Sequence, residues 1–365
     1  MSAAGHPLEP FNASPTPTVG VEWELGCVDR ESHQLVPVDP TVFDGRHIVR
    51  EYFNNTVELV SGVHDSSPAA VADILRLAEQ ARRVVDAHGC ALWASGTHPL
   101  TSWHDAELTD KESYGEIMER TRFWGQQMLI WGMHVHVGIS HRDKVWPIIN
   151  ALMAHYPLLL TLSCSSPGWE GQDTGYASTR TMLYQQLPTA GMPYQFQSWE
   201  EWTNFQIDQT RSGVVSHIGY MHFDVRPSGK WGTIEVRIAD SPTSQTELRA
   251  VAAFTHMLVV YLDRLLEAEG HLPILQPWHV RENKWRSARY GLDAQIIVDR
   301  DTTERWVRDE LAAWVDRLTP LAEEFGCVAD LRCVLDVIEQ GAYERQRNLY
   351  QETGSWVPAV EAAFI

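Results

Sequence analysis

The chain has 365 residues, of which 48 are acidic and 29 are Lys or Arg, so its formal net charge is −19. This balance argues against binding to nucleic acid or to an anionic membrane surface, because both depend on clustered Lys and Arg. It leaves open a local basic pocket for a small anion.

The five cysteines form no Cys-x-x-Cys pair, which indicates a reduced, cytosolic protein. Residues 1–17 are rich in Pro, Ala and Ser and lack the charged and apolar segments of a signal peptide, so we expect a flexible leader. The most apolar stretch, residues 251–262, contains His256 and reads as a core helix, not as a membrane span. No later segment resembles a linker, which predicts a single domain over residues 18–365.

The first predicted strand, residues 18–26, carries two glutamates on one face. Alternate residues of a strand point to opposite sides, so Glu22 and Glu24 share a face while the other face is apolar. Two carboxylates about 7 Å apart repel each other unless a cation lies between them. The alternative is a half-exposed strand with a solvated acidic side.

Two further strands repeat this arrangement. In residues 56–60, Val57 and Leu59 share one face and Glu58 points the other way. In residues 132–138, His134 and His136 share the face opposite two valines, and such a pair can supply one or two metal ligands. A purely structural role for these histidines is the alternative.

A predicted hairpin over residues 221–239 carries charges of both signs. Its arms place Asp224 and Arg226 on one strand and Glu235 and Arg237 on the other, all away from the apolar face. If Arg226 pairs with Thr233, Asp224 lies directly across from Glu235. Like charges in that position destabilise a sheet, so this register favours a bound cation or a neighbouring arginine.

Basic residues stand in two other places. Arg180 lies in a loop-rich segment, where it suits an anion, although a surface salt bridge is the commoner role. Residues 281–291 contain four basic side chains, among them Lys284 and Arg289, and this density favours an anion or phosphate site over a merely solvated helix face.

Together these strands predict chemistry at a divalent cation. Carboxylate ligands with one imidazole suit Mg²⁺ or Mn²⁺, and the absence of a His-Glu-x-x-His motif disfavours a zinc protease. Divalent ions combined with Arg and Lys are typical of phosphoryl transfer. Neither a P-loop nor a Rossmann glycine motif is present, so a bound nucleotide would lie against an antiparallel sheet.

Seven short motifs occur in an order that resembles the glutamate–cysteine ligase type 2 family, especially its YbdK-like carboxylate–amine ligase branch. They are Val-Gly-Val-Glu22-Trp-Glu24, Val-Glu58-Leu-Val-Ser-Gly, His134-Val-His136-Val-Gly, Ser178-Thr-Arg180, Pro188-Thr-Ala-Gly-Met-Pro, Thr233-Ile-Glu235-Val-Arg237-Ile-Ala-Asp240 and Glu282-Asn283-Lys284-Trp285. The resemblance covers about residues 18–350. It is specific for the superfamily and much less so for the substrate.

The resemblance implies an α+β, glutamine-synthetase-like fold, in which a curved antiparallel sheet forms a funnel with helices packed outside. It implies a cytoplasmic enzyme, a homodimer by family expectation, that uses ATP and Mg²⁺ (or Mn²⁺) to phosphorylate a carboxylate before an amine attacks the acyl phosphate. The small-molecule substrates would be glutamate or a similar acid and cysteine or another amine, with glutamate–cysteine ligation weak.

Carried onto this sequence, the resemblance also implies roles for individual residues. The metal ligands would be Glu22, Glu24, Glu58, His136 and Glu235. Arg237, together with Glu235, would act in catalysis by stabilising the transferring phosphoryl group. The cofactor and its phosphates would be contacted by Lys284, Arg289 and Arg226, and Arg180 would hold the substrate carboxylate.

Three alternatives remain open from the sequence. The chain could ligate a different acid and amine, or it could be a metal-dependent amidohydrolase with His134 and His136 as ligands. It could also be a non-catalytic binding protein that keeps the fold, but such a protein would be expected to lose part of the Glu and Arg set. A requirement for ATP separates the ligase from the hydrolase.

Overall fold

A computed structural model describes residues 10–365. The strands are Val19–Asp29 (β1), Ile48–Arg50 (β2), Thr56–Val60 (β3), Cys90–Trp93 (β4), Gly132–Gly138 (β5), Gly168–Trp169 (β6), Gln172–Asp173 (β7), Ala190–Gly191 (β8), His222–Phe223 (β9), Val225–Ser228 (β10), Thr233–Asp240 (β11), Gln295–Ile297 (β12) and Glu304–Trp306 (β13). The helices are Ser67–Asp86 (α1), Glu112–Thr121 (α2), Phe123–Gln126 (α3), Val145–Leu152 (α4), Tyr156–Ser163 (α5), Thr179–Tyr184 (α6), Trp199–Arg211 (α7), Gln245–Glu269 (α8), Pro277–Tyr290 (α9), Val307–Glu324 (α10), Val328–Glu339 (α11), Ala342–Thr353 (α12) and Val357–Glu361 (α13).

A seven-stranded antiparallel sheet organises the molecule. Six of its strands run in the order β10-β11-β5-β1-β3-β2, and β4 pairs with the far end of β1. The longest strands, β1, β5 and β11, lie side by side in the centre. An antiparallel sheet accompanied by helices that do not alternate regularly with its strands belongs to the α+β class, as predicted.

Helices cover one face of this sheet. The predicted apolar side chains of β1, including Trp23 and Leu25, are fully buried there; α1 packs on β1, α8 on β5 and α5 on β11. Ser244 begins α8 by accepting a hydrogen bond from the backbone N–H of Glu247, and Gly270 ends it with φ of 74°. The opposite face of the sheet is therefore the one that holds the charged residues.

One segment of the described chain, Arg142–Ser163, is long and apolar enough to cross a membrane by length and composition alone. Most of an 18-residue stretch within it, 83%, is buried inside the protein, as is usual for a core helix. It consists of a 3-10 turn over Arg142–Lys144, then α4 and α5 joined by a second 3-10 turn over Met153–His155. Pro157 lies in the first turn of α5. Proline is tolerated at that position because its missing N–H would have no helical partner.

The register of the β10–β11 hairpin differs from the expected one. Arg226 pairs with Glu235, not with Thr233, because Ser228 pairs with Thr233 and the connecting loop has four residues. The prediction that Asp224 lies across from Glu235 is therefore wrong. In the observed register Glu235 faces the oppositely charged Arg226, whereas the expected register placed it opposite the like-charged Asp224.

The predicted leader, residues 1–17, lies outside the described residues over positions 1–9. The described part runs along the protein surface, where the backbone N–H of Asn12 donates to the carbonyl of Gly229 and that of Ser14 to the carbonyl of Ile139. His256 of α8 contacts the carbonyl of Pro17 at 2.8 Å. The boundary between leader and domain stays a prediction.

Candidate functional site

The charged face of the sheet gathers all the predicted metal ligands. Three directly facing pairs bring them together: Glu24 with Glu58, Glu22 with His134, and Glu235 with His136. They line a cavity of about 230 Å³, which Arg226 and Arg237 also line. The strand alternation read from the sequence thus places these side chains on one surface.

Two groups of three side chains in this cavity could each hold a metal ion, and they share Glu22. One group is Glu22, Glu58 and His134, and the other is Glu22, His136 and Glu235, with the candidate ligand atoms of each within 4.8 Å of one another. The buried Nε2 of His136 lies 3.3 Å from Oε1 of Glu22 and 4.0 Å from Oε1 of Glu235, without a well-formed hydrogen bond to either. An imidazole nitrogen without a partner beside carboxylates fits a hard divalent cation.

Two residues of the site were missed by the residue assignment from the sequence. His134 belongs to the first group, and its Nδ1 lies 2.8 Å from Oε2 of Glu22. The His-x-His spacing was the signal that could have included it. Glu51, which directly follows β2, also lines the cavity. It lies on no patterned strand, so no sequence signal pointed to it.

The carboxylates of this cavity differ in the direction in which the protein shifts their pKa. Burial raises the pKa of Glu24 to about 7, and the nearby charge of Glu51 adds to the effect. Burial and the charge of Glu22 likewise hold the pKa of Glu58 well above its ordinary value. Burial alone would raise the pKa of Glu22 too, but its close contacts with His134 and His136 outweigh it and lower that pKa. Glu22 is therefore favoured in its ionised form, whereas Glu24 and Glu58 resist ionisation unless a cation binds.

Two arginines hold the carboxylate of Glu235. Nε of Arg226 donates to Oε2 of Glu235 at 2.7 Å, and Nη1 of Arg237 donates to Oε1. Burial acts to raise the pKa of Glu235, but the two guanidinium groups outweigh it and lower that pKa. Arg237 keeps its buried Nε without a partner in the described chain, so it has hydrogen-bonding capacity left for a ligand.

Arg180 lies beside this cluster and is only 3% exposed. Ser178 begins its helix, α6, and the guanidinium donates to the carbonyls of Arg237 and Ile238 at 3.4 Å. Within residues 10–365 it has no ion-pair partner, and its Nε makes no hydrogen bond. It lines a second cavity of about 120 Å³, which shares Glu24 and Arg237 with the first. A buried cation without a counter-ion is costly, which suits it to an anionic ligand.

A third cavity of about 380 Å³ opens on the other side of the cluster. It shares Glu22, His136 and Trp231 with the cluster cavity, and backbone at Gly20 and Gly62 forms part of its wall. Trp231 stands in the β10–β11 loop with 57% of its surface exposed. The cluster is therefore flanked by the 120 Å³ cavity and the 380 Å³ cavity, one at each end of the charged face of β1.

The basic run on α9 does not reach the cluster cavity. Nζ of Lys284 lies 2.6 Å from Oδ2 of Asp224, with both residues buried. Arg289 donates to the carbonyl of Gly175 and lies over the ring of Tyr176. Neither residue lines any of the three cavities described above. Their role as phosphate contacts stays a prediction.

All five cysteines are free, and Cys164 is buried. Burial holds the pKa of the Cys164 thiol well above its ordinary value, so its reactive thiolate form is suppressed. None of the five lines the cavities around the cluster. The site offers carboxylates, imidazoles and guanidinium groups for chemistry, not a thiol nucleophile.

Residues 18–364 match the model of the family described as glutamate-cysteine ligase family 2. A protein of Corynebacterium efficiens provisionally named glutamate–cysteine ligase 2-1 is 57% identical over 361 residues, covering 97% of this chain and 96% of that protein. A protein of Nocardia farcinica provisionally named glutamate–cysteine ligase 2-2 is 47% identical over 366 residues, covering 97% and 96%.

Two solved structures share the fold at low sequence identity. A glutamate–cysteine ligase from Francisella tularensis in complex with AMP aligns with a TM-score of 0.69 at 13% identity, covering 97% of this chain and 88% of that one. A bifunctional glutathione synthetase from Pasteurella multocida aligns with a TM-score of 0.70 at 15% identity, covering 96% of this chain and 52% of that one. The likeness confirms the predicted α+β, glutamine-synthetase-like architecture. By its family match and its curated relatives, the chain belongs to the glutamate–cysteine ligase family 2.

Proposed function

We propose that the chain is an ATP-dependent carboxylate–amine ligase that forms an amide through an acyl phosphate, with Mg²⁺ or Mn²⁺ bound by the acidic cluster. One observation carries the proposal: carboxylates and imidazoles that suit divalent ions share a cavity with Arg226 and Arg237. Family membership supports the same reaction class. Glutamate and cysteine are the first substrates to test, and a different acid and amine are the alternative.

The chemistry explains why such a cavity needs both signs of charge. A carboxylate is a poor electrophile, so the γ-phosphoryl group of ATP is transferred to its oxygen, the P–O bond to ADP breaks, and the acyl group gains a phosphate leaving group. The amine then forms the C–N bond, the C–O bond to phosphate breaks, and the proton of the amine passes to solvent. Bound divalent ions would neutralise the repulsion between ATP and the incoming carboxylate.

The chain's own residues would orient this transfer. Arg237, held by Glu235, would donate to the oxygens of the moving phosphoryl group, and Arg226 would fix Glu235 from the other side. Arg180 would hold a carboxylate of the acid substrate in the 120 Å³ cavity. The nucleoside of ATP would then lie in the 380 Å³ cavity beyond Glu22, with Trp231 available for stacking on the base.

A cytosolic location, a homodimer and the exact metal-ligand set, with Glu24 in it, stay predictions. The same holds for the phosphate contacts at Lys284 and Arg289.

Phosphate release from ATP tests the proposal. Purified protein is incubated with Mg²⁺, glutamate and a panel of amines that includes cysteine, and release that needs both acid and amine is expected. Glu235→Gln should lower turnover by at least about a hundredfold, because the variant loses a charged group at the reacting centre. Glu352→Gln, at an exposed position near the end of α12, serves as the matched control.

Two outcomes would contradict the proposal. Turnover of Glu235→Gln near that of the wild type would remove Glu235 from the metal site. Hydrolysis of an amide without ATP, together with no phosphate release, would favour the amidohydrolase in which His134 and His136 hold the metal.

A further inference from the structure

The cavity that holds Arg180 does not end at the acidic cluster. A cavity of about 180 Å³ adjoins it, and the two share Ile117, Leu187 and His222 in their linings. The outer cavity is formed by α2 on one side and by the segments around residues 187–189 and 213–216 on the other. A substrate that entered from the outer cavity would meet the shared side chains of Ile117 and Leu187 on its way to the cluster.

The side chains that line the two cavities differ in polarity. At the cluster end stand charged groups, and Nε of Arg180 and the hydroxyl of Tyr184 are buried there without partners in the described chain. The outer cavity is lined by the apolar side chains of Ile117, Leu187 and Val215, together with the charged residues Glu116 and Arg120. Polar atoms that lack partners invite a polar ligand at one end, whereas the apolar stretch favours hydrocarbon.

The two substrates of a ligase would divide this space. The acid must present its reacting carboxylate to Arg237, and a second polar group of the acid would reach Arg180, so the acid takes the inner cavity. The amine must approach the acyl carbon from the side that the acid leaves open. That side is the passage at Ile117 and Leu187.

We propose that the amine substrate of this enzyme carries an apolar body, aromatic or branched aliphatic, which packs between Ile117 and Leu187 while its nitrogen reaches the acyl phosphate. The inference rests on the proposed ligase function and specifies its acceptor. Cysteine fits the passage poorly, because its carboxylate and thiol would lose water against apolar side chains. The apolar side chains of the passage would then account for weak ligase activity with cysteine.

A matched pair of amines tests this. 2-Phenylethylamine and methylamine present the same nucleophile and differ in the apolar body, and cysteine is the third amine. The measurement is kcat/KM for acid-dependent phosphate release from ATP with Mg²⁺. Burial of a phenyl group predicts that kcat/KM for 2-phenylethylamine exceeds that for methylamine and cysteine by about tenfold or more.

Substitutions at Ile117 test whether the passage determines the preference for 2-phenylethylamine. Ile117→Asn should reduce the ratio of kcat/KM for 2-phenylethylamine to that for methylamine to about threefold or less, and Ile117→Ala should give an intermediate ratio without a new polar group. Met118→Asn is the control, because Met118 is the next residue of α2, is equally half-buried and lines neither cavity. Thermal unfolding of all variants checks that each is folded.

The outcomes separate the inference from the function on which it rests. Acid-dependent release with methylamine or cysteine at or above the rate with 2-phenylethylamine would overturn the inference and leave the ligase standing. A preference for 2-phenylethylamine that Ile117→Asn and Ile117→Ala do not change would also overturn it. Absence of release with every amine would overturn the ligase proposal, and the acceptor inference would fall with it.

Discussion

Glu24 and Glu58 face each other directly across the antiparallel strands β1 and β3. Like charges in this position destabilise a sheet by up to about 1 kcal/mol. Glu51 lines the same cavity and adds a further carboxylate. The protein thus keeps a repulsive arrangement in the middle of its main sheet, which is understandable where function requires a cation-binding surface.

Removal of one of these charges should stabilise the metal-free protein. Because the folded-state pKa of Glu58 is raised, its ionisation opposes folding at any pH above its unfolded value. We expect Glu58→Gln to increase the free energy of unfolding by about 1 kcal/mol at pH 8 in EDTA, measured by urea denaturation. The same variant should lose most of the stabilisation that Mg²⁺ gives the wild type.

The exposed variant Glu352→Gln should change neither quantity. Destabilisation of the metal-free protein by Glu58→Gln would mean that this carboxylate makes a favourable contact in the absence of metal, against the expectation from its position opposite Glu24.

The sequence was informative where the signal was local. Period-two alternation placed Glu22, Glu24 and Glu58 on the face opposite the buried side chains, since the direction of a strand side chain depends only on its own strand. The register of Arg226 against Glu235 depends on loop length, and that prediction was wrong. The roles of these residues remain predictions.

The sequence alone did not predict contacts between residues that are far apart along the chain. The basic run around Lys284 reads locally as an anion site, but its Nζ is paired with Asp224, 60 residues earlier in the chain. Glu51 likewise enters the cluster cavity only through the way the chain folds after β2. Neither relationship leaves a periodic pattern that single-sequence reasoning can detect.

Trp231 provides a test of the proposed nucleotide position. If its exposed ring stacks on the base in the 380 Å³ cavity, Trp231→Ala should raise KM for ATP by about fivefold to a hundredfold, since stacking is worth about 1–3 kcal/mol. Trp306→Ala is the control, because Trp306 is 51% exposed on β13 and lines none of the three cavities around the cluster. An unchanged KM for ATP in Trp231→Ala would place the base elsewhere.

The Lys284–Asp224 pair distinguishes a structural from a phosphate-binding role. Lys284→Met leaves the buried carboxylate of Asp224 without its cation, so we expect the free energy of unfolding to fall by about 3 kcal/mol. The double variant Lys284→Met/Asp224→Asn should recover much of this loss in urea denaturation. A large rise in KM for ATP with unchanged stability would instead support the phosphate contact.

Asp73 of α1 anchors the loop that borders the 380 Å³ cavity. Its Oδ2 accepts the backbone N–H of Gly62 at 2.8 Å and contacts Nε2 of His64, and its Oδ1 accepts from Arg76 at 2.7 Å. Burial alone would raise the pKa of Asp73, but the hydrogen bonds from Gly62 and Arg76 outweigh it and lower that pKa to about 2. The ionised form is thus favoured in the folded state.

The stability that Asp73 contributes should therefore depend on pH. A carboxyl whose pKa falls from 3.8 to about 2 on folding contributes about 2 kcal/mol above pH 3.8, and this contribution is lost as pH falls toward 2. Urea denaturation should show Asp73→Asn destabilised by about 2 kcal/mol at pH 7 and by about half as much at pH 3. Asp65→Asn, at an exposed position in the same loop, should show neither effect. A destabilisation by Asp73→Asn that is equal at both pH values would mean that its hydrogen bonds stabilise the loop independently of its charge.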